Sequence, residues 1–383
     1  MIIQSVTAYP LSCAVPPQFQ VSLGIGRTIK RDTVLVRVAD EAGLAGWGEA
    51  HAARAPTVIA ELINSTLGPL VRGLEVEDSA ALWTKVYRAQ LASHGTGAAA
   101  AIALSGIDLA CWDLRGRHAQ VPVWRLLGGT ARAIPAYAGG ISLGYQPLAA
   151  LVLEALGLVA HGYRALKLRI GQRVVDDLAR ITAVREAVGL SVELMVDANC
   201  AYTVADVRAI MDGLVRQRVA WLEEPFPAHA QRDYLALKDL GGVPIAAGEN
   251  HYTRFDFERL QDDGVVSIWQ PDLSKTGGLS EALHIARLAA QAGIALCPHT
   301  SVTGLNIGAT LNFLSSIPNA GYFEADCAAF NPLRTELTSP RAELAPDGTF
   351  STPRGAGLGA AVSEALFARF PVIAGAGYLP RSE

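Results

Sequence analysis

Hydrophobic positions follow two rhythms along the chain: alternation near the start, then short apolar runs set between amphipathic stretches. Ile2–Pro10 and Asp32–Ala39 are rich in β-branched residues (TVLVRV), and Gly43–Glu49 (GLAGWGE) follows a turn, so each predicts a strand. Thr57–Leu67, Ser79–Leu91 and the Ala-rich Gly97–Arg115 repeat apolar residues at helical spacing. Strands followed by helices predict an α+β unit over residues 1–130.

From residue 131 the rhythm changes. Apolar runs predict strands at Ile134–Ala138, Ala165–Arg169, Val192–Asp197, Ala220–Glu223, Pro244–Glu249, Val265–Asp272, Ile294–His299 and Gly321–Glu324. Helical patterns fall between them at Arg173–Val188, Val204–Arg218, Leu279–Ala292 and Leu305–Ile317. A doubly wound sheet shares this alternation, but eight strands favour a β/α barrel over residues 131–327. Residues 328–383 are rich in Pro and Gly, with one helical stretch at Ser363–Phe370. That segment is too small to hold a core and is expected to pack back on the first unit.

Composition narrows the function. Of 383 residues, 50% are hydrophobic and 18% charged, enough apolar surface to exclude a disordered chain. The net charge of −4 offers no basic field for nucleic acid. The most apolar stretch, Ala98–Trp112, contains Ser105 and Asp108 and is too short to span a membrane. The first basic residue is Arg27, which argues against a secretory signal and for a cytoplasmic location. The five cysteines form no C-x-x-C pair, so neither structural zinc nor a disulfide framework is expected; Cys200 and Cys297 are read as packing residues. Gly24-x-Gly26 and Gly355-x-Gly357-x-Gly359 are read as loops rather than dinucleotide fingerprints.

The candidate chemistry sits where strands end. Asp197, Glu223 and Glu249 end three successive strands, one β/α unit apart, on the face where barrels place active sites. Any one alone reads as a helix cap or a solvated loop acid. Three in register would repel unless a cation neutralises them, and oxygen ligands suit Mg²⁺. Asp272 and His299 end the next two strands. An Asp holding a His ring nitrogen sets the tautomer that a general base needs. Lys167 and Arg169 share one face of their strand, and if both point inward they favour an anionic substrate.

These motifs together resemble the enolase superfamily, and within it the mandelate racemase subgroup. The resemblance rests on D-A-N (Asp197–Asn199), E-E-P (Glu223–Pro225), G-E-N (Gly248–Asn250), Q-P-D (Gln270–Asp272), P-H-T (Pro298–Thr300) and the run Ala101–Gly129. It implies a modified TIM-type (β/α)7β barrel with an N-terminal α+β capping domain, in dimers or octamers. It implies Mg²⁺ on Asp197, Glu223 and Glu249, and a carboxylate substrate whose α-proton is lost to give an enediolate. His299 and Asp272 match the subgroup's base pair. Glu324 matches a residue that hydrogen-bonds the intermediate, and Asn199 a substrate contact.

One position departs from a common form of the subgroup. Where many members carry a second lysine base, this chain has Arg169, which holds its proton too firmly. A two-base racemase or epimerase is thereby disfavoured against a one-base dehydratase of an acid sugar. Lys167 stays open as a second acid/base if Arg169 depresses its pKa. A Schiff-base lyase using Lys167 and a non-catalytic binding protein are the other rivals. His51, Arg27, Arg54, His229 and His94 are candidate substrate contacts, with Arg27, His51 and Arg54 suggesting a polar or anionic distal group. Glu224 is expected to act at most through a neighbour.

Overall fold

The computed structural model describes residues 1–380 apart from His94, Thr96 and Ser301. The capping unit starts with β1 (Ile3–Ala14), β2 (Lys30–Asp40) and β3 (Ala45–Ala50), an antiparallel sheet in that order. The helices α1 (Pro56–Glu61) and α2 (Ser79–Val86) follow, each running on into a π-helical turn. Asp78 caps α2 by accepting from the Ala81 amide at 2.8 Å.

The long helix α3 (Ala98–Ala119) is buried nearly all round because it has neighbours on two sides. On one side it lies against β3. Gly46 and Gly48 share a face of that strand, and a Cβ on either would meet a carbonyl of α3 at 2.2 Å. On the other side, Ser105, Asp108 and Trp112 form one helical stripe facing the barrel. Ser105 Oγ accepts from the Gly277 amide at 2.8 Å, Asp108 takes the Ser280 amide and hydroxyl at 2.9 and 2.6 Å, and Trp112 Nε1 donates to Ser280 Oγ at 2.9 Å.

The second unit is a parallel barrel of eight strands. They are β4 (Ala133–Gly139), β5 (Ala165–Arg169), β6 (Glu193–Asp197), β7 (Val219–Glu223), β8 (Ile245–Ala247), β9 (Val266–Trp269), β10 (Ala295–Leu296) and β11 (Phe323–Asp326). Hydrogen bonding runs from β10 in order to β4 and then to β11, and a parallel bridge between Leu296 and Ala320 closes the ring. The helices α4 (Leu148–His161), α5 (Val174–Val188), α6 (Val204–Arg216), α7 (Gln231–Leu235), α8 (Thr253–Asp263), α9 (Gly278–Gln291) and α10 (Gly304–Leu314) connect them, the (β/α)7β arrangement. Helix α6 opens on a reciprocal capping box between Thr203 and Asp206.

Strand parity decides what faces the interior. Leu166, Leu168, Leu194, Val196 and Leu222 pack outward among the helices. Ala165, Met195, Trp221, Ala246, Cys297 and Tyr137 form an apolar interior cluster. Two residues further along the same strands, the inward positions are Lys167, Asp197 and Glu223, and Arg169 follows two beyond Lys167. The polar site therefore sits on an apolar floor.

The last residues touch both units. Thr349–Ser351 pairs antiparallel with β4, the Phe367 ring lies 5.0 Å from Tyr9, and Tyr378–Leu379 pairs with Gly26–Thr28.

Candidate active site

Strand ends and the turns after them position the site. β8 stops at Ala247, and Gly248 (φ +154°) turns the chain so that Glu249 enters the mouth; a Cβ on Gly248 would lie 2.5 Å from the Gln270 amide nitrogen. β9 and β10 are shorter than the sequence pattern predicts, so Asp272 and His299 stand in loops beyond the ladder. Asn199, Cys200 and Glu224 have left-handed backbones (φ +45°, +62° and +36°), a strain held by the Cys200 amide on the Glu224 carbonyl at 2.8 Å.

Lys167 and Arg169 both point inward, and each meets an acid. Lys167 Nζ lies 2.5 Å from Glu223, 3.0 Å from Glu324 and 3.8 Å from Asp197. Arg169 contacts Asp197 and the Gly140 carbonyl. Burial opposes the Lys167 charge, but Glu223, Glu324 and Asp197 outweigh it and raise its pKa. Arg169 does act to lower the Lys167 pKa, but the three carboxylates outweigh it and the net shift is upward.

The dyad is formed. His299 Nδ1 is 2.7 Å from Asp272 Oδ2, and its Nε2 is 2.9 Å from Glu249 Oε2. Asp272 Oδ1 accepts from the amide and hydroxyl of Ser274, each at 2.7 Å, and from Asn306 Nδ2 at 3.1 Å. Burial works against charge on His299, but Glu249 and the Asp272 bond raise its pKa well above the ordinary value. Both carboxylates favour the protonated ring, and Nε2 can act as a base only when Glu249 does not hold it.

The three proposed metal ligands are each neutralised by a cationic side chain: Arg169 on Asp197, Lys167 on Glu223, and His299 with Lys275 on Glu249. Among the described residues no three His, Cys, Asp or Glu side chains gather closely enough to hold a metal. The donor chemistry nevertheless fits a hard divalent ion. Carboxylates end adjacent strands, and among the described residues the Asn199 Oδ1 and Glu324 Oε2 atoms are buried without a hydrogen-bond partner. Burial, with Asp197 and Glu324 adding to it, pushes Glu223 up to about 7 despite Lys167. Gln270 Nε2 and Trp221 Nε1 also donate to Glu223, at 2.7 and 3.2 Å.

Other sequence candidates divide. His51 lines the same cavity and accepts from the Ala53 amide through Nδ1, leaving its proton on Nε2; burial and Lys275 lower its pKa to about 3, so it is a neutral donor. Glu324 Oε1 takes the Gly140 amide at 2.9 Å besides Lys167. Asn199 Nδ2 orients Asp197 at 3.0 Å and lines the cavity. Glu224 is buried against Asn250 at 2.9 Å and Cys200 at 3.5 Å, so Cys200 lines the mouth rather than only filling the core. Two substrate candidates do not line this cavity. Arg27 is exposed on its short strand and is not among the residues lining the cavity, whose cap end carries Lys30 and Arg31 instead. His229 is exposed beside a neighbouring cleft lined by His251 and Asp256. His94 lies outside the described residues.

Sequence reasoning missed Lys275, which reaches the Glu249 carbonyl at 2.9 Å, and the cap residues Lys30, Arg31 and Tyr378. Lys275 follows Asp272 by three positions, a local cue. Lys30-Arg31-Asp32 was visible as a charge run opening an apolar strand. No local signal marks Tyr378.

Residues 6–128 match the family described as Mandelate racemase / muconate lactonizing enzyme, N-terminal domain, and residues 150–366 match Enolase C-terminal domain-like. A D-galactarolactone cycloisomerase of Agrobacterium fabrum is 32% identical, the match covering 89% of this chain and 92% of the relative. An arabinonate dehydratase of Saccharolobus solfataricus is 31% identical, covering 88% and 90%. A crystal structure of an enolase-superfamily member from Polaromonas sp. JS666 has a TM-score of 0.96 at 46% identity, covering 99% of this chain and all of that one. A racemase of Streptomyces coelicolor with bound magnesium has a TM-score of 0.88 at 28% identity, covering 97% and all of it. A barrel with this cap and this ring of strand-end residues defines an enolase-type enzyme. The chain belongs to the enolase superfamily, in its mandelate racemase subgroup.

Proposed function

We propose that this protein is a Mg²⁺-dependent dehydratase of an acid sugar. The observation that carries the reading is the asymmetry of the mouth. His299, oriented by Asp272, is placed to exchange a proton; across the mouth, where a second base would stand, is Arg169, whose guanidinium keeps its proton. Such a site removes a proton from one face of a substrate and cannot readily return it to the other.

Lys167 and Arg169 offset the charge on the substrate carboxylate. His299 Nε2 takes the α-proton, and the bond's electrons move into the carboxylate to give an enediolate. Glu324 Oε2, without a partner among the described residues, is an acceptor for the substrate's α-hydroxyl. The imidazolium then gives the same proton to the β-hydroxyl, which leaves as water as the C–O bond breaks. The enol becomes a 2-keto-3-deoxy acid. Asp197, Glu223 and Glu249 would hold Mg²⁺, whose charge offsets that developing on the carboxylate.

The five cysteines are all free thiols, which fits a cytoplasmic location. Among the described residues no helix is long and apolar enough to cross a membrane.

A second reading rests on the galactarolactone relative: a cycloisomerase shares the proton abstraction but conserves mass. A panel of aldonic, aldaric and uronic acids and aldarolactones, incubated with the protein and Mg²⁺ in D₂O, separates the readings. Keto acid with loss of one water is the expected result. A ring-opened isomer of a lactone without water loss points to the cycloisomerase, and a deuterated epimer without water loss or ring opening to a racemase or epimerase.

A further inference from the structure

The catalytic cavity has a second charged end. It encloses about 220 Å³, with Arg169, Lys275 and His299 at the barrel end and Lys30, Arg31 and Arg54 at the cap end. At the cap end the acids are already committed. Asp32 lies 3.1 Å from Lys30 and accepts from Ser12 Oγ at 2.6 Å. Asp326 takes Arg334 at 3.0 Å and Asn331 Nδ2 at 2.8 Å, and Arg31 reaches it only at 3.7 Å.

Two guanidiniums are left under-matched. Arg31 is 7% exposed, and its Nε has no hydrogen-bond partner among the described residues. A buried N–H without an acceptor is costly unless a ligand supplies one. Arg54 is exposed at the rim, 5.1 Å over the Tyr378 ring, and among the described residues it forms no salt bridge that would hold it away from a ligand. Its backbone is left-handed (φ +60°), as is that of Ala53 (φ +47°), which places strain at this rim.

The chain terminus completes the wall. Tyr378 pairs with Thr28, Gly377 accepts from the Ile29 amide at 3.0 Å, and Lys30 Nζ donates to the Ile373 carbonyl at 2.6 Å. Gly26 (φ +116°) permits this approach, since a Cβ there would lie 2.4 Å from the Leu379 carbonyl oxygen.

We propose that the cap end binds a second carboxylate, through Arg31 and Arg54 with Tyr378 positioning the latter, so that the substrate is a dicarboxylate of the aldaric class. A guanidinium fork matches the two oxygens of a carboxylate. The inference rests on the acid-sugar reading above, which supplies the first carboxylate.

Binding tests it. Hexaric and hexonic acids of matched configuration are titrated with Mg²⁺ into the His299→Asn variant, which lacks the proposed base, and calorimetry gives Kd. The diacid is expected to bind at least tenfold tighter than its monoacid partner. Arg54→Gln is expected to remove that preference and Arg54→Lys to restore part of it. Arg31→Gln should do the same, and is compared only if circular dichroism shows a native fold. Equal Kd values in every pair, a preference unchanged in Arg54→Gln, or no binding at all overturns the proposal. Turnover by the unmodified protein is read separately. Keto acid from hexonic acids alone leaves the dehydratase standing and overturns the dicarboxylate. Keto acid from neither overturns the dehydratase, while the Kd ratio still decides the second carboxylate.

Discussion

His299 Nδ1 lies 2.7 Å from Asp272 Oδ2, although the two residues come from different β/α units. The carboxylate fixes the ring so that Nε2 faces the cavity. Burial raises the Asp272 pKa, but the His299 bond and charge outweigh this and hold it well below the ordinary range. Asp272→Asn is expected to lower kcat at least ~100-fold and His299→Asn ~100- to 10,000-fold, the usual worth of a positioned proton carrier. Keto-acid production by folded variants checks this. Full activity in His299→Asn would sink the mechanism.

The proposed Mg²⁺ site on Asp197, Glu223 and Glu249 predicts metal-dependent turnover. EDTA is expected to abolish turnover and added Mg²⁺ to restore it. Without substrate, Mg²⁺ should raise Tm, because an ion that binds only the folded state adds about 2.7 kcal/mol at ~100 times its Kd. Glu249→Gln should remove the shift. Activity that survives exhaustive chelation would contradict the assignment.

Glu49 makes stability fall with rising pH. It is buried where cap meets barrel, accepting from Thr33 Oγ1 at 3.1 Å and from the Thr303 amide and hydroxyl at 3.1 and 2.5 Å. Burial pushes its pKa from 4.5 up to about 7, against the Thr303 bonds. Between those values the folded chain holds a proton that the unfolded chain has lost. The resulting stability is full below pH 4.5 and gone above pH 7, a loss of about 3 kcal/mol for this group. Urea unfolding at pH 5 and pH 8 should show a smaller difference in Glu49→Gln than in the unmodified protein. An equal or larger difference would remove Glu49 as the cause.

Asp113 of α3 ties three segments together. It accepts from the amides of Trp47 and Leu358, each at 2.8 Å, and from Arg117 Nε at 2.5 Å. Asp113→Ala leaves buried donors unpaired and should cost about 3 kcal/mol. Thermal unfolding measures it; a Tm within one degree of the unmodified protein would show that water or repacking replaces the carboxylate.

Much of this was legible in the sequence because a β/α unit has a nearly constant length. Asp197, Glu223, Glu249, Asp272 and His299 recur at that spacing, and parity along β5 restricts Lys167 and Arg169 to one face. Local pattern also marked α3, although its burial on two sides becomes intelligible only with β3 and Ser280 in place.

The sequence by itself determined the barrel, the cap and the order of acids around the mouth, since these follow from short-range periodicity. Tertiary structure alone decided which charges pair. Lys167 meets Glu223 and Glu324 from other strands, and Lys275 rather than His229 enters the mouth. The cap end depends on Lys30 meeting Ile373, 343 residues away. Such contacts arise from chain closure and close packing, which no local spacing encodes, and they bring Arg31 rather than Arg27 to the cavity wall.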